Sequence, residues 1–267
     1  TQVCYHYDGS FAGFLSCVFD SYVHKEAPAE FRTPENPCCS LYPLRTVETD
    51  EAHAKRVYRS LADKIGPLGQ KAVTRGFLTC LPEKELWLWR FIQMGYQRGP
   101  AVLRDLTAPT VDKLRKAVQQ LEREADHYRG FVRFSDMDGV LVGEIEPKNR
   151  VLPLLRPHFA SRYPREQFLL HDCTHHEALI HQPGKSMILP VEDFHMGPAD
   201  QTELAYRRMW RSFYDTIAIE GRYNPKCRMN HMPKRFWEKM TEFQTDSPQP
   251  SLPADSEMNH PPLQGSR

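Results

Sequence analysis

The densest run of groups able to bind a metal or carry a proton is His171-Asp172-Cys173-Thr174-His175-His176-Glu177-Ala178-Leu179-Ile180-His181. Its spacing excludes the H-E-x-x-H metalloprotease motif. His176-Glu177 is followed by His181, and five residues along a helix turn about 500°, setting the two imidazoles about 140° apart. Read as a strand, the run puts His171, Cys173 and His175 on one face and Asp172, Thr174 and His176 on the other. Ligands at i, i+2 and i+4 then span about 13 Å, too far for all three to reach one ion. The segment therefore predicts a polar turn between two strands, and no metal is expected in this chain. Glu144 and Glu146 share a strand face at i, i+2, where a divalent cation or a general acid/base group would fit; a solvated edge is the alternative. Asp136 and Asp138 belong to a turn. Asp8, with Gly9 and Ser10, stands at a strand-to-helix junction, where free helix N–H groups meet a polar side chain. Such a place suits an anion or a substrate, and equally a simple helix cap. The chain has no G-x-S-x-G, no G-x-G-x-x-G, no Walker sequence and no cysteine in a recognisable nucleophilic context.

A second kind of chemistry lies toward the C-terminus. Trp210–Trp237 interleaves aromatic residues with Arg and Lys. Between Gln201 and Met240 stand nine Lys/Arg and four Asp/Glu, in a chain whose net charge is only +1. Cations beside rings suit a polyanion with bases to stack, which is to say a nucleic acid. A helix with a solvated basic face has the same composition.

These residues need elements to hold them. Val3–Tyr7 reads as a strand, and Phe11 to about Tyr22 as a helix with Phe11, Phe14, Leu15 and Val18 on one face. Ala27–Asn36 reads as a Pro-rich loop and Leu41–Val47 as a strand. Helices are predicted over Ala52–Ile65, capped by Thr49 or Asp50, and over Gln70–Leu81, Glu83–Tyr96 and Thr110–Tyr128. The period then changes. Gly130–Phe134 and Val140–Ile145 flank an Asp138-Gly139 turn, Asn149–Phe159 is helical, and Gln167–His171, Glu177–His181 and Lys185–Ile188 alternate as strands. Asp200–Glu220 and Met232–Met240 return to helix. The order predicts an α+β fold: an antiparallel sheet with a β-β-α-β-β centre, an N-terminal strand–helix unit and flanking helices. One domain is expected over residues 1–244, with a helical subregion at 49–128. A disordered Pro/Ser-rich tail is expected over 245–267.

Composition sets the limits. With 40% hydrophobic and 11% aromatic residues, the chain can fill a substantial core. A pI near 7.6 makes any nucleic-acid surface a patch and excludes a wholesale basic coat. Cys4, Cys17, Cys38, Cys39, Cys80, Cys173 and Cys227 form no C-x-x-C, which points to a reduced, cytoplasmic protein. Phe11–Phe19 is too short to span a bilayer and follows Asp8 in place of a basic region, so neither a membrane helix nor a signal peptide is expected.

Four stretches carry a resemblance: Y-D-G-S-F-A-G-F-L-S-C-V-F-D-S-Y from Tyr7, the long run from Phe131 to Pro164 around F-S-D-M-D-G-V-L-V-G-E-I-E-P-K-N-R, the pair His171-Asp172, and I-A-I-E-G-R-Y-N-P-K-C-R-M-N-H-M-P-K-R-F-W up to Trp237. Together, from Val3 to Phe243, they resemble a bacterial DNA metabolism and repair family. It is a domain of unknown function found beside radical-SAM DNA-repair proteins and fused to some uracil-DNA-glycosylase-like proteins. The resemblance implies a DNA-binding accessory component of a repair or modification system that partners a radical-SAM protein. Any iron–sulfur cluster and SAM would belong to that partner, and no cofactor to this chain. It singles out Asp8, Gly9, Ser10, Arg133, Glu146, Pro147, His171, Asp172, Arg222, Asn224, Pro225, Arg228, Pro233, Lys234, Arg235 and Trp237. Of these, Arg133, Arg222, Asn224, Arg228, Lys234, Arg235 and Trp237 are the expected nucleic-acid contacts. The sequence departs from the family after His171-Asp172, where Cys173, Thr174, His175 and His176 stand in place of basic residues. The competing expectation is an enzyme acting on damaged DNA or a nucleotide, with Asp8, His171, Asp172 and Arg222 in one pocket and the first three as catalytic residues.

Overall fold

The computed structural model of the protein describes residues 2–35, 40–191, 194, 201–217, 229 and 232–243. Arg222, Asn224, Arg228 and the tail 245–267 lie outside the described residues. Two compact units divide the chain, Thr1–Ala205 and Tyr206–Arg267.

The first unit begins with a small parallel sheet. β1 (Gln2–His6) buries Val3, Cys4 and Tyr5 in succession, as a strand covered on both faces must. It lies between β2 (Ala27–Arg32) and β3 (Leu44–Thr46), parallel to both. α1 (Phe11–Val23) makes the crossover from β1 to β2. Ala27–Arg32 is thus a strand where the prolines suggest a loop. Pro28 is tolerated because β2 is an edge, and the register slips between Val3 and Cys4 to accommodate it.

A helical layer follows. α2 (Glu51–Phe77) carries both helices expected around Ala52–Ile65 and Gln70–Leu81, joined at a kink. Gly66 has φ 84° there, and Pro67 has no N–H to give the preceding turn. Asp50 caps α2 by accepting from the N–H groups of Ala52 and His53 at 2.7 and 2.9 Å. α3 (Lys84–Arg98) and α4 (Pro109–Phe131) pack beside it. Phe14, Leu61, Ile65, Leu88, Phe91 and Ile92 are fully buried in this core. Each contributes about 1.5–3 kcal/mol on burial.

The larger sheet is mixed. Its strands run in the order β4 (Ser135–Met137), β5 (Val140–Ile145), β6 (Gln167–Asp172), β7 (Glu177–Gln182), β8 (Lys185–Pro190). The strand expected at Gly130–Phe134 is instead the end of α4 and a linker. The β4–β5 hairpin closes on Asp138 (φ 52°) and Gly139 (φ 85°), the two positive φ values its two-residue turn demands. The antiparallel expectation fails at one pair, because β5 and β6 are parallel. α5 (Leu152–Arg162) lies between them in the chain, and a crossover helix returns a strand in the same direction. Phe134, Phe159 and Phe168 interlock against the sheet with ring centroids 5.4–6.3 Å apart.

Glu124 of α4 ties the helical layer to the sheet. Its buried carboxylate accepts from the N–H groups of Lys148 (3.0 Å) and Asn149 (2.9 Å) and from Asn149 Nδ2 (2.7 Å). Asn149 Oδ1 in turn accepts from the Cys80 N–H at 2.9 Å. The connection leaving β5 is therefore fixed to α4 and to the link between α2 and α3.

α6 (Gln201–Ile217) runs from the first unit into the second. In the second unit, Pro233 precedes a 3₁₀ helix, Lys234–Lys239, where an α-helix over Met232–Met240 is predicted.

Candidate functional site

The parallel β5–β6 ladder brings together residues that lie far apart in sequence. Glu144 stands opposite His171 in the register. The Cys173 N–H donates to the Ile145 carbonyl at 2.9 Å, carrying the ladder one step past the end of β6. His171 and Cys173 consequently share a face, and Glu144 is on it too. One donor atom from each of the three lies within 4.8 Å of the others. Cys173 Sγ is 3.5 Å from His171 Nδ1. His171 is only 5% exposed, and the Phe194 ring packs on it at 5.0 Å. The cluster sits at the carboxyl ends of two parallel strands, where α/β sheets present side chains to ligands. An imidazole, a thiol and a carboxylate can bind a transition-metal ion or pass a proton among themselves.

Asp172 points to the opposite face and is 0% exposed. Its Oδ1 accepts from the N–H groups of Thr174 (3.0 Å) and His175 (3.1 Å), and its Oδ2 lies 2.7 Å from His175 Nδ1. His176, at φ 53°, completes the turn. The polar turn expected between the two strands is present, and in it His175 folds back onto Asp172. His171 and Asp172 are neighbours in the chain with different surroundings, and the structure gives Asp172 the task of shaping the turn that presents Cys173.

Asp8 belongs to the other sheet, at the carboxyl end of β1. Its Oδ1 accepts from the Ser10 N–H at 2.9 Å and its Oδ2 from the Thr49 hydroxyl at 2.7 Å. Ser10 is the cap of α1, accepting from the Gly13 N–H at 2.9 Å. Partial desolvation pushes the Asp8 carboxyl up, but the hydrogen bonds from Thr49 and Ser10 outweigh it and hold the group below the usual carboxylate range. A Cβ on Gly13 would stand 2.2 Å from Asp8 Oδ1, so the glycine is what lets the carboxylate lie against α1. The side chain bonds to Ser10 and Thr49, not to His171 or Asp172.

Of the expected nucleic-acid contacts, Arg133 is half-buried, and its Nη1 donates to the carbonyls of Gly130 (3.0 Å) and Val132 (3.2 Å) at the end of α4. A cation here complements the negative end of the helix. Lys234 and Arg235 are exposed on the 3₁₀ helix. Trp237 is half-buried: its Nε1 donates to the Met232 carbonyl at 3.0 Å, and its ring stacks on Phe243 at 4.7 Å. Its role in the described residues is to hold the 3₁₀ helix in shape.

A second aromatic–basic face lies on α6. Tyr206 (59%) and Trp210 (41%) are exposed one turn apart on one face, with Met209 beside them, whereas exposed Arg208, two residues from each ring, projects from the other side of the helix. Arg207 and Arg211, also one turn apart, are half-buried beside them. The spacing Y-x-x-x-W within a basic run is the signal that marks this face in the sequence. The site reading from sequence did not name Tyr206 or Arg208.

The profile of a family described as a domain of unknown function, DUF4130, matches residues 82–242. The match covers more than half of the chain, and the chain belongs to this family. It takes in the mixed sheet with Glu144, His171 and Cys173, and it reaches Lys234, Arg235 and Trp237. The first 81 residues, with the parallel sheet and Asp8, lie before it, although the opening motif is part of the resemblance read from sequence. No curated protein matches the chain.

Proposed function

We propose that this member of the DUF4130 family is a DNA-binding accessory component of a bacterial repair or modification system, working beside a radical-SAM protein that supplies the redox chemistry. The observation that carries the reading is the exposure of Tyr206 and Trp210 on one face of α6, with half-buried Arg207 three residues before Trp210 on the same side. Rings at that spacing can stack on bases while a guanidinium beside them contacts phosphate. Lys234 and Arg235 add exposed cations in the same unit. Fluorescence anisotropy of the full chain with single- and double-stranded oligonucleotides across a salt series tests it. The expected result is micromolar or tighter binding at about 50 mM salt, with affinity falling steeply as salt rises. Tyr206→Ala with Trp210→Ala should weaken single-strand binding by about 1–3 kcal/mol per stacked base. Absence of binding at low salt would remove the proposal. If Lys234→Glu with Arg235→Glu abolishes capture of the radical-SAM neighbour and leaves DNA affinity unchanged, those two residues serve protein docking.

A second reading, an enzyme acting on damaged DNA or a nucleotide, draws its support from Glu144, His171 and Cys173. The pocket expected for it joined Asp8, His171, Asp172 and Arg222; Arg222 lies outside the described residues, and the donor cluster joins His171 to Glu144 and Cys173. Incubation of lesion-bearing oligonucleotides with wild type and with Cys173→Ser separates the two: turnover lost only in the variant supports an enzyme.

A further inference from the structure

We propose that Glu144, His171 and Cys173 form a three-ligand binding site for a zinc-class divalent cation. The inference stands on the mixed sheet alone and does not depend on the DNA-binding reading.

The first argument is distance. In a tetrahedral site with Zn–S of about 2.3 Å and Zn–N of about 2.0–2.1 Å, the sulfur and nitrogen are about 3.6 Å apart. Cys173 Sγ and His171 Nδ1 are already 3.5 Å apart. A Cys–His hydrogen bond alone would also bring those two atoms close. It would not require a carboxylate on the same point, yet the Glu144 oxygen lies within 4.8 Å of both. The same tetrahedral geometry asks for about 3.4–3.6 Å, so the Glu144 side chain has to move by roughly an ångström, within the reach of its rotatable bonds.

The second argument is chemistry. One thiolate, one imidazole and one carboxylate form a borderline-soft set, suited to zinc and its cobalt surrogate and poorly suited to magnesium or calcium, which take oxygen ligands.

The third argument is rigidity. Glu144 and His171 are held by paired strands, and Cys173 is held by its N–H bond to Ile145 and by the turn that Asp172 builds. Sites on such elements keep their geometry better than sites on loops. Three protein ligands leave a fourth tetrahedral position, the arrangement that admits a water or a substrate oxygen.

The test uses the full chain, stripped with a chelator and titrated with Co²⁺. One equivalent should bind, giving a thiolate-to-cobalt charge-transfer band in the near ultraviolet and the intense visible bands of tetrahedral cobalt. Zinc should displace it and raise the urea midpoint. Cys173→Ser should abolish the charge-transfer band, and Glu144→Gln, a near-isosteric change that keeps the fold, should weaken cobalt affinity at least tenfold. Affinity should rise with pH, because the thiol must lose its proton. Octahedral spectra, absence of stoichiometric binding, or binding unchanged in Glu144→Gln and Cys173→Ser would each overturn the proposal. Far-UV circular dichroism of both variants confirms that a loss reflects the site.

Discussion

Asp172 separates two kinds of role for the same carboxylate. As a catalytic group it would act through its charge; as the keystone of the β6–β7 turn it acts through its acceptor geometry. The side chain is fully buried and serves three donors: two backbone N–H groups on Oδ1 and the His175 ring on Oδ2. Asp172→Ala leaves all three without that acceptor. Hydrogen bonds to a charged group are worth about 1.5–3 kcal/mol each, and water can reach the Thr174 end of the turn, so the loss should be about 3 kcal/mol. That is a large share of a typical stability of about 5–15 kcal/mol. Asp172→Asn behaves differently. Its carbonyl oxygen keeps both backbone donors, and its amide can donate to His175 Nδ1 once the imidazole carries its proton on Nε2. The cost should be about 1 kcal/mol. Urea unfolding followed by circular dichroism and tryptophan fluorescence, with unchanged m-values, measures both. Equal destabilisation by Asn and Ala, or an Ala variant within about 1 kcal/mol of wild type, would refute the turn-building role.

Three further outcomes follow from the same structure. Glu124→Ala strands the N–H groups of Lys148 and Asn149 and the Asn149 amide, so it should lower stability by about 3–4 kcal/mol in urea titration; a loss under about 1 kcal/mol would mean water replaces the carboxylate. Gly13→Ala should destabilise, although alanine is the better helix former by about 1 kcal/mol, because the new methyl meets Asp8 Oδ1 at 2.2 Å and Thr49 Oγ1 at 2.8 Å; a gain in urea midpoint would contradict that packing. The Asp8 carboxyl titrates below its unfolded value of about 3.9, so its contribution is present above about pH 4 and lost as pH falls through the folded value. Asp8→Asn should therefore give a flatter stability profile on acidification than wild type, read by unfolding at a series of pH values.

What the sequence makes legible is set by the range of the interaction. Periods and caps are local, and they locate α1, α3, α4 and most strands within a few residues; Asp138-Gly139 marks its turn because only a few residue types accept positive φ at both positions. Ala27–Arg32 is hidden because proline statistics speak for loops, while an edge strand needs few of its own N–H groups. The candidate site depends on pairing, which no local period encodes. Within one strand, His171, Cys173 and His175 would span about 13 Å, and that arithmetic argues against a shared ion. Strand direction adds a donor that this arithmetic leaves out. The helix between Val140–Ile145 and Gln167–Asp172 is visible in the sequence, and a strand–helix–strand connection within one sheet implies parallel neighbours. Aligning the carboxyl ends of those two strands sets Glu144 against His171 and supplies a third donor from outside the histidine-rich run. The general consequence is that a candidate ligand set should be sought across a crossover before it is rejected along a strand, because a donor on the neighbouring parallel strand lies one strand–helix connection away in the chain.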